Sequence, residues 1–121
     1  MNLTKVQQFM LFTLGMCYRE LNKKVAGKPL EIALSKQAFI EIVRRSSIVG
    51  KKERAIYKNL EGLEKKKLLL YDHKSIHLTP KGLAWFGKAA SAIDPYIAVR
   101  DVLATTDVVA LTKKVRTSLV V

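Results

Sequence analysis

Cationic residues at helical spacing occupy the middle of the sequence. Arg54, Lys58, Glu61 and Lys65 follow one another at steps of four, three and four, which places them on one side of a helix. Lysine presents a flexible point charge, and arginine presents a planar fork that can bind two acceptor atoms together. Both groups suit phosphate oxygens, so this side of the helix is a candidate surface for a polyanion.

The distribution of charge along the chain favours the same interpretation. The 121 residues include 22 lysines and arginines against 10 acids, for a formal net charge of +12. Residues 44–67 hold nine cations and three acids, whereas residues 94–121 hold four cations and three acids. A positive charge gathered in this way predicts nucleic acid, an anionic membrane surface or an acidic protein as the partner. A solvated helix face is the structural alternative.

Capping residues and apolar spacing predict the elements that position this surface. Thr4 and Gln7 fit a capping box at the start of a first helix over residues 4–24. Residues 30–34 alternate as a short strand does, and Ser35 is the expected N-cap of a second, short helix. The inward residues expected for that second helix are Ala38, Phe39, Ile42 and Val43.

The cationic surface belongs to a third helix, predicted over residues 51–67. Its expected inward stripe consists of Ile56, Leu60 and Leu63. Residues 68–72 and 75–79 then predict two strands joined by a tight turn. Thr79 and Pro80 match the N-cap and first position of a further helix, where the missing N–H of proline is no loss.

The C-terminal part of the sequence is more apolar and almost neutral. Asp94 followed by Pro95 repeats the helix-start pattern, so a separate helix is expected from there, with a break near residues 105–107. Apolar residues cover much of its circumference and must pack on something. We therefore expect a domain of residues 1–92 and a helical segment of residues 93–121 that joins two copies. Folding back onto its own subunit is the alternative.

This order of elements predicts a specific architecture. The predicted order is helix, strand, helix, helix, strand, strand, helix, helix. A mainly α-helical chain of this order with a small three-stranded sheet matches a winged helix-turn-helix with an additional C-terminal helix or helices. In that architecture the third helix, here residues 51–67, enters the major groove of DNA. The hairpin of residues 68–79 is the wing, which touches an adjacent stretch of backbone.

Two segments also resemble a known family. RAIYKNLEGLEKKKLLL followed by IHLTPKGLAWF resembles the MarR/PadR-type winged-helix regulators of bacteria and archaea, whose wing closes with a pattern matched by Leu78, Thr79 and Gly82. The resemblance implies a dimeric, DNA-binding transcriptional regulator. Lys67 stands where the family usually has glycine, and a left-handed backbone there would cost a lysine about 1 kcal/mol.

Ten side chains are candidate DNA contacts, on the third helix, at the end of the second helix or at the tip of the wing. They are Lys51, Lys52, Arg54, Tyr57, Lys58, Asn59, Arg44, Arg45, His73 and Lys74. Arg54 is the best candidate for reading a base, because arginine pairs with guanine through two hydrogen bonds. Arg44 and Arg45 would complement the dipole of their own helix equally well.

Other functional classes find less support in the sequence. The chain has no phosphate-binding loop, no dinucleotide-binding glycine pattern and no nucleophile–base pattern, so we expect no enzyme activity, catalytic residue or cofactor. His73 and His77 span the hairpin turn without a cluster of cysteines or acids, so we expect no metal site. The single Cys17 excludes an internal disulfide. Without a secretory signal or a membrane-length apolar run, a cytoplasmic protein with no membrane partner is expected.

The leading hypothesis is therefore a homodimeric transcriptional regulator that binds double-stranded DNA. The alternatives are a winged-helix module that binds protein or RNA, and a chromosomal protein that coats DNA without sequence preference. No motif in the sequence identifies the DNA target, the direction of regulation or a small-molecule effector.

Overall fold

The computed structural model describes residues 2–24, 34–46 and 53–112 of the chain. These ranges contain four α-helices and a small antiparallel sheet, in agreement with the coarse fold class predicted from the sequence. In chain order the elements are α1 (Lys5–Lys24), β1 (Leu34–Ser35), α2 (Lys36–Arg45), α3 (Glu53–Lys65), β2 (Leu69–Tyr71), β3 (Ser75–Leu78) and α4 (Pro80–Ala104). A short 3-10 helix follows at Val108–Leu111.

The three strands form one sheet in the order β1-β3-β2. Leu34 of β1 pairs with Ile76 on one edge of β3, and Leu69 of β2 pairs with Leu78 on its other edge. The hairpin predicted from the two apolar runs is therefore confirmed. The predicted first strand is represented by Leu34 and Ser35 alone, because residues 30–33 lie outside the described ranges.

The hydrophobic core brings together α1, α2, α3 and the sheet. Its largest fully buried side chains are Phe39, Met10, Leu11, Leu14, Ile56, Leu60, Leu63, Leu68, Leu69, Ile76 and Val43. Two inward positions of α2 differ from the prediction, because Ala38 and Ile42 are exposed and Ile40 is buried instead. Phe39, Ile40 and Val43 share one side of the helix, whereas Ile42 lies about 200° around the axis from Ile40.

Hydrogen bonds at the helix starts confirm the predicted caps. The N–H of Thr4 donates to Oε1 of Gln7 at 3.2 Å, and the N–H of Gln7 donates to Oγ1 of Thr4 at 3.1 Å. Ser35 accepts a hydrogen bond of 3.2 Å from the N–H of Ala38. Each cap satisfies main-chain donors that the helix itself cannot pair.

The prediction of a separate helix starting at Asp94–Pro95 is wrong. α4 continues through Pro95 and ends at Ala104. A proline inside a helix removes one N–H donor, but Pro95 and Ser91 are both exposed, so water can satisfy the carbonyl of Ser91. The predicted break after residue 104 is confirmed by the 3-10 helix, whose N-cap is Asp107.

The described residues fall into two compact units, one ending at Ala89 and the other beginning at Ala90. The first unit contains α1, α2, α3, the sheet and the start of α4. The second contains the remainder of α4 and the 3-10 helix. None of the helices described is sufficiently long and apolar to cross a membrane.

Candidate nucleic-acid interface

Two opposite sides define the orientation of α3. Ile56, Leu60 and Leu63 are fully buried on the inward side, as the sequence predicted. Arg54 and Lys58 are exposed on the outward side. Because three buried side chains fix the rotation of the helix, the cations at its surface keep a defined direction.

The outward side of α3 carries a net positive charge. Nζ of Lys65 lies 3.8 Å from Oε1 of Glu61, so the acid on this side is paired with a neighbouring cation. Within the described part of the chain, Arg54 and Lys58 form no ion pair. The positive charge left without a partner is therefore located in the first two turns of the helix.

The side of α3 next to Gly62 is covered by α1. A Cβ atom at Gly62 would lie 2.6 Å from Nε2 of Gln7, so a larger residue would displace that amide. Nζ of Lys66 donates to Oε1 of Gln7 at 3.2 Å and also to the carbonyl of Asn2. This side of α3 therefore packs against protein, and the close approach explains the glycine inside the helix.

A lysine and two tyrosines join α2, α3 and the hairpin. Nζ of Lys36 lies 5.4 Å from the ring centroid of Tyr57 and 5.2 Å from that of Tyr71. The main-chain N–H of Lys36 donates to the carbonyl of Lys74 at 3.0 Å. Burial, together with the carboxylates of Glu64 and Glu61 and the side chain of Tyr57, raises the pKa of Tyr71, which keeps its phenol neutral. The hairpin tip is thus attached to the start of α2.

Asn59 does not share the outward side of α3. It is half-buried, and its Nδ2 donates to the carbonyl of Ala55 at 2.8 Å. Five residues separate it from Arg54, which corresponds to about 140° around the helix axis. A role in reading a base beside Arg54 would require the Asn59 side chain to leave its hydrogen bond.

The remaining predicted contacts on helices occupy different places. Arg44 is half-buried, with Nη1 3.9 Å from Oε2 of Glu41, and Arg45 is exposed beside it in the last turn of α2. Cations in this position complement the negative end of the helix dipole. Lys51 and Lys52 lie outside the described residues.

His73 and Lys74 are exposed at the hairpin tip. Oδ1 of Asp72 accepts hydrogen bonds from the N–H groups of Lys74 at 2.7 Å and Ser75 at 2.8 Å. Hydrogen bonds from Ser75 and Lys74 lower the pKa of the Asp72 carboxyl, so the turn is held by an ionised carboxylate. The tip therefore presents a cation beside a fixed negative charge.

Sequence reasoning missed Lys36 and Tyr71 as members of this surface. The only signal for Lys36 is its position directly after the N-cap Ser35, where a cation opposes the helix dipole. Tyr71 gives no signal, because an aromatic residue is ordinary in a strand. Their proximity to Tyr57 depends on how the hairpin packs beside α3, which local sequence patterns do not encode.

The structure thus brings Arg54, Tyr57 and Lys58 onto one open surface, bordered by Lys36 and the hairpin tip. Cations without acid partners can bind anions, and aromatic rings beside them can hold a cation or stack on a base. In the part of the chain that the structure describes, no three His, Cys, Asp or Glu side chains are grouped to hold a metal. Comparisons with family models, curated proteins and solved structures found no match.

Proposed function

We propose that the protein is a DNA-binding transcriptional regulator of the winged helix-turn-helix type, similar to MarR/PadR regulators. In this proposal α3 enters the major groove, and the hairpin acts as a short wing against the neighbouring backbone. The observation that carries the proposal is the outward side of α3, where Arg54 and Lys58 are exposed and have no acid partner among the described residues. The fully buried Ile56 and Leu60 hold that side outward.

The dimensions of α3 support this role. Its 13 residues correspond to a length of about 20 Å, and the major groove of about 12 Å width admits a helix. Arg54, near the start of the helix, would reach base edges, since recognition helices contact bases mainly through their N-terminal residues. Lys58, one turn later, would contact phosphate oxygens. The sheet order β1-β3-β2, with α2 and α3 consecutive before the hairpin, is consistent with the same architecture.

We further propose that two copies associate through the C-terminal unit. Tyr96 and Val99 are 76% and 58% exposed, and Val102 and Leu103 are exposed beside them on α4. An apolar surface of this kind on a helix requires a partner in water. A two-fold dimer would present two α3 helices to two half-sites separated by one helical turn of DNA. Residues 113–121, also expected to contribute, lie outside the described ranges.

A salt titration of duplex binding tests the proposed surface. We would measure the affinity of the full chain for a labelled duplex by fluorescence anisotropy, beside the variants Arg54→Ala and Lys58→Ala. Loss of the phosphate contact of Lys58 should reduce the slope of log affinity against log salt by about 0.9, whereas loss of the base contact of Arg54 should lower affinity mainly at the preferred sequence. Lys88→Ala is the matched control, because Lys88 is an exposed cation on α4. If both α3 variants bind as the parent does at every salt concentration, this side of α3 is not the DNA surface.

Competition separates a regulator from a coating protein or an RNA-binding module. Fragments selected from a random duplex pool are challenged with a large excess of random DNA and, separately, of RNA. A sequence-specific regulator typically prefers its site by about 10³-fold or more. Retention of one preferred duplex supports the proposal. Displacement by random DNA would indicate a coating protein, and displacement by RNA alone would indicate an RNA-binding module.

A further inference from the structure

Lys36 occupies an unusual environment for a surface cation. Its ammonium group lies between two aromatic rings, 5.4 Å from the centroid of Tyr57 and 5.2 Å from that of Tyr71. No hydrogen bond or ion pair of this ammonium group with another described residue is present. The rings attract the positive charge through their electron-rich faces, and the three N–H donors keep the capacity to bind an acceptor.

We infer that Lys36 binds a DNA phosphate at the junction between α3 and the hairpin. The inference rests on the proposed function and adds a residue that the sequence did not suggest. The inference depends on the position of Lys36, because this residue contacts both α3 and the hairpin, the two elements that would flank a strand of DNA. Its side chain contacts Tyr57 of α3 and Tyr71 of β2, and its main-chain N–H bonds the carbonyl of Lys74 at the hairpin tip.

The two rings also explain why a lysine at this place would be effective. A free lysine side chain samples many rotamers, and binding one phosphate requires it to give up that freedom. Contacts with Tyr57 and Tyr71 restrict the ammonium group before any ligand arrives. A single phosphate oxygen can then approach a charge that is already in position, and this contact fixes the register of the duplex without reading its sequence.

A purely structural role for Lys36 makes a different prediction. If the ammonium group only holds the two rings together, its removal disturbs folding but changes no counterion release on DNA binding. If it binds phosphate, its removal eliminates one charge contact, and affinity then depends less steeply on salt. The salt slope therefore distinguishes the two roles, because packing alone does not move it.

The test compares four full-length proteins for binding to a labelled duplex of random sequence: the parent, Lys36→Met, Lys36→Gln and Lys36→Arg. Methionine keeps the unbranched apolar chain between the rings, glutamine keeps a polar end, and arginine keeps the charge. We expect both neutral variants to reduce the salt slope by about 0.9, so that their loss of affinity is about 3.5-fold larger at 50 mM than at 200 mM salt. Lys36→Arg should retain the parent slope. Circular dichroism and thermal unfolding show whether each variant is folded. Two neutral variants are used so that the test can still be read if one of them does not fold.

The outcomes separate this inference from the proposed function. A parent that binds no duplex overturns both. A parent that binds duplex with a steep salt slope, beside folded Lys36→Met and Lys36→Gln variants with that same slope, overturns the phosphate contact alone. In that second case, a reduced salt slope of Lys58→Ala, measured on the same duplex as a fifth protein, would show that the proposed function survives while Lys36 serves only in packing.

Discussion

The hydroxyl of Thr79 donates a hydrogen bond of 2.7 Å to the carbonyl of Lys67, and Lys67 is the one non-glycine residue of the described ranges with positive φ, at 61°. The same hydroxyl accepts a hydrogen bond of 3.0 Å from the N–H of Gly82. Thr79 therefore joins the C-terminal end of α3 to the start of α4. The left-handed backbone considered from the sequence is present, and Lys67 adopts a conformation that glycine reaches without a Cβ clash.

Replacing Lys67 with glycine is therefore expected to stabilise the protein. We expect Lys67→Gly to raise the free energy of unfolding by about 1 kcal/mol, because it removes the left-handed penalty. Lys58→Gly is the matched control, since Lys58 is exposed inside α3, and it should lower that free energy by about 1 kcal/mol. Urea denaturation measures both. A decrease of similar size in both variants would show that Lys67 is not strained.

Local rules account for most of what the sequence predicted correctly. The capping box of Thr4 and Gln7, the N-cap Ser35 and the inward stripe of α3 all depend on residues within one or two turns of each other. The continuation of α4 through Pro95 was not predicted, because Asp94–Pro95 is a local start signal. A proline removes only one helical hydrogen bond, and the helix on both sides of it can supply enough others for the helix to continue. A proline preceded by an N-cap residue is therefore a less reliable sign of a new helix when the residues before it are also helical.

A second stability prediction concerns the close approach of α4 to the hairpin. A Cβ atom at Gly82 would lie 2.0 Å from the carbonyl oxygen of Leu68, which is a main-chain atom and cannot move without shifting the chain. We expect Gly82→Ala to lower the free energy of unfolding by about 2 kcal/mol. Gly87, in the same helix, has no atom within 4 Å of the corresponding position, so Gly87→Ala should instead raise it by about 1 kcal/mol. Chemical denaturation gives both values, and loss of stability in Gly87→Ala alone would contradict the geometry.

The hairpin turn gives a prediction about pH. The pKa of Asp72 is lowered in the folded protein by hydrogen bonds from Ser75 and Lys74, so the unfolded chain binds this proton at higher pH than the folded chain does. The contribution of Asp72 to stability is therefore full above its unfolded pKa of about 3.9 and is lost as the pH falls through the lower folded pKa. The stability difference between the parent and Asp72→Ala should be constant near neutral pH and shrink below about pH 3.9. Asp101→Ala, at an exposed acid elsewhere, is the control in the same denaturation series.

Arg54 and Asn59 give opposite expectations for DNA binding because they lie on different sides of α3. Arg54→Ala should cost about 1–3 kcal/mol at the preferred duplex and reduce discrimination at one base pair. Asn59→Ala should leave DNA affinity almost unchanged, since its amide is bonded to the carbonyl of Ala55. Anisotropy with the selected duplex and single-base variants of it measures both effects. Loss of base discrimination in Asn59→Ala, with none in Arg54→Ala, would place the reading surface on the other side of the helix.

The candidate surface was only partly visible from the sequence, for a physical reason. Spacing along one helix predicted Arg54 and Lys58 on its outward side, because helical periodicity is local. The same spacing did not exclude Asn59 from the candidate DNA contacts, because the sequence does not show whether a polar side chain bonds to the main chain of its own helix. Lys36 was missed because its partners Tyr57 and Tyr71 come from other elements, and their meeting is set by tertiary packing.

The exposed apolar residues of the C-terminal unit lead to a prediction about assembly. Tyr96 and Val99 lie three residues apart on α4 and are exposed, so a dimer would bury both. Introducing a carboxylate at either position places a charge in an apolar interface, which strongly disfavours association. We therefore expect Tyr96→Asp and Val99→Asp to shift the mass measured by sedimentation equilibrium from dimer toward monomer. Ser91→Asp adds the same charge at an exposed polar position of α4 and should leave the parent mass unchanged.

Duplex binding by the same variants connects assembly to function. A dimer that contacts two half-sites gains affinity because the second contact is intramolecular, so monomeric Tyr96→Asp should bind a two-half-site duplex at least about 100-fold more weakly than the parent. Its affinity for a duplex with one half-site should change little, because α3 is untouched. A parent that sediments as a monomer at every concentration would contradict the proposed dimer. Equal losses on both duplexes would indicate that the substitution disturbs the fold of the unit that contains α3 instead.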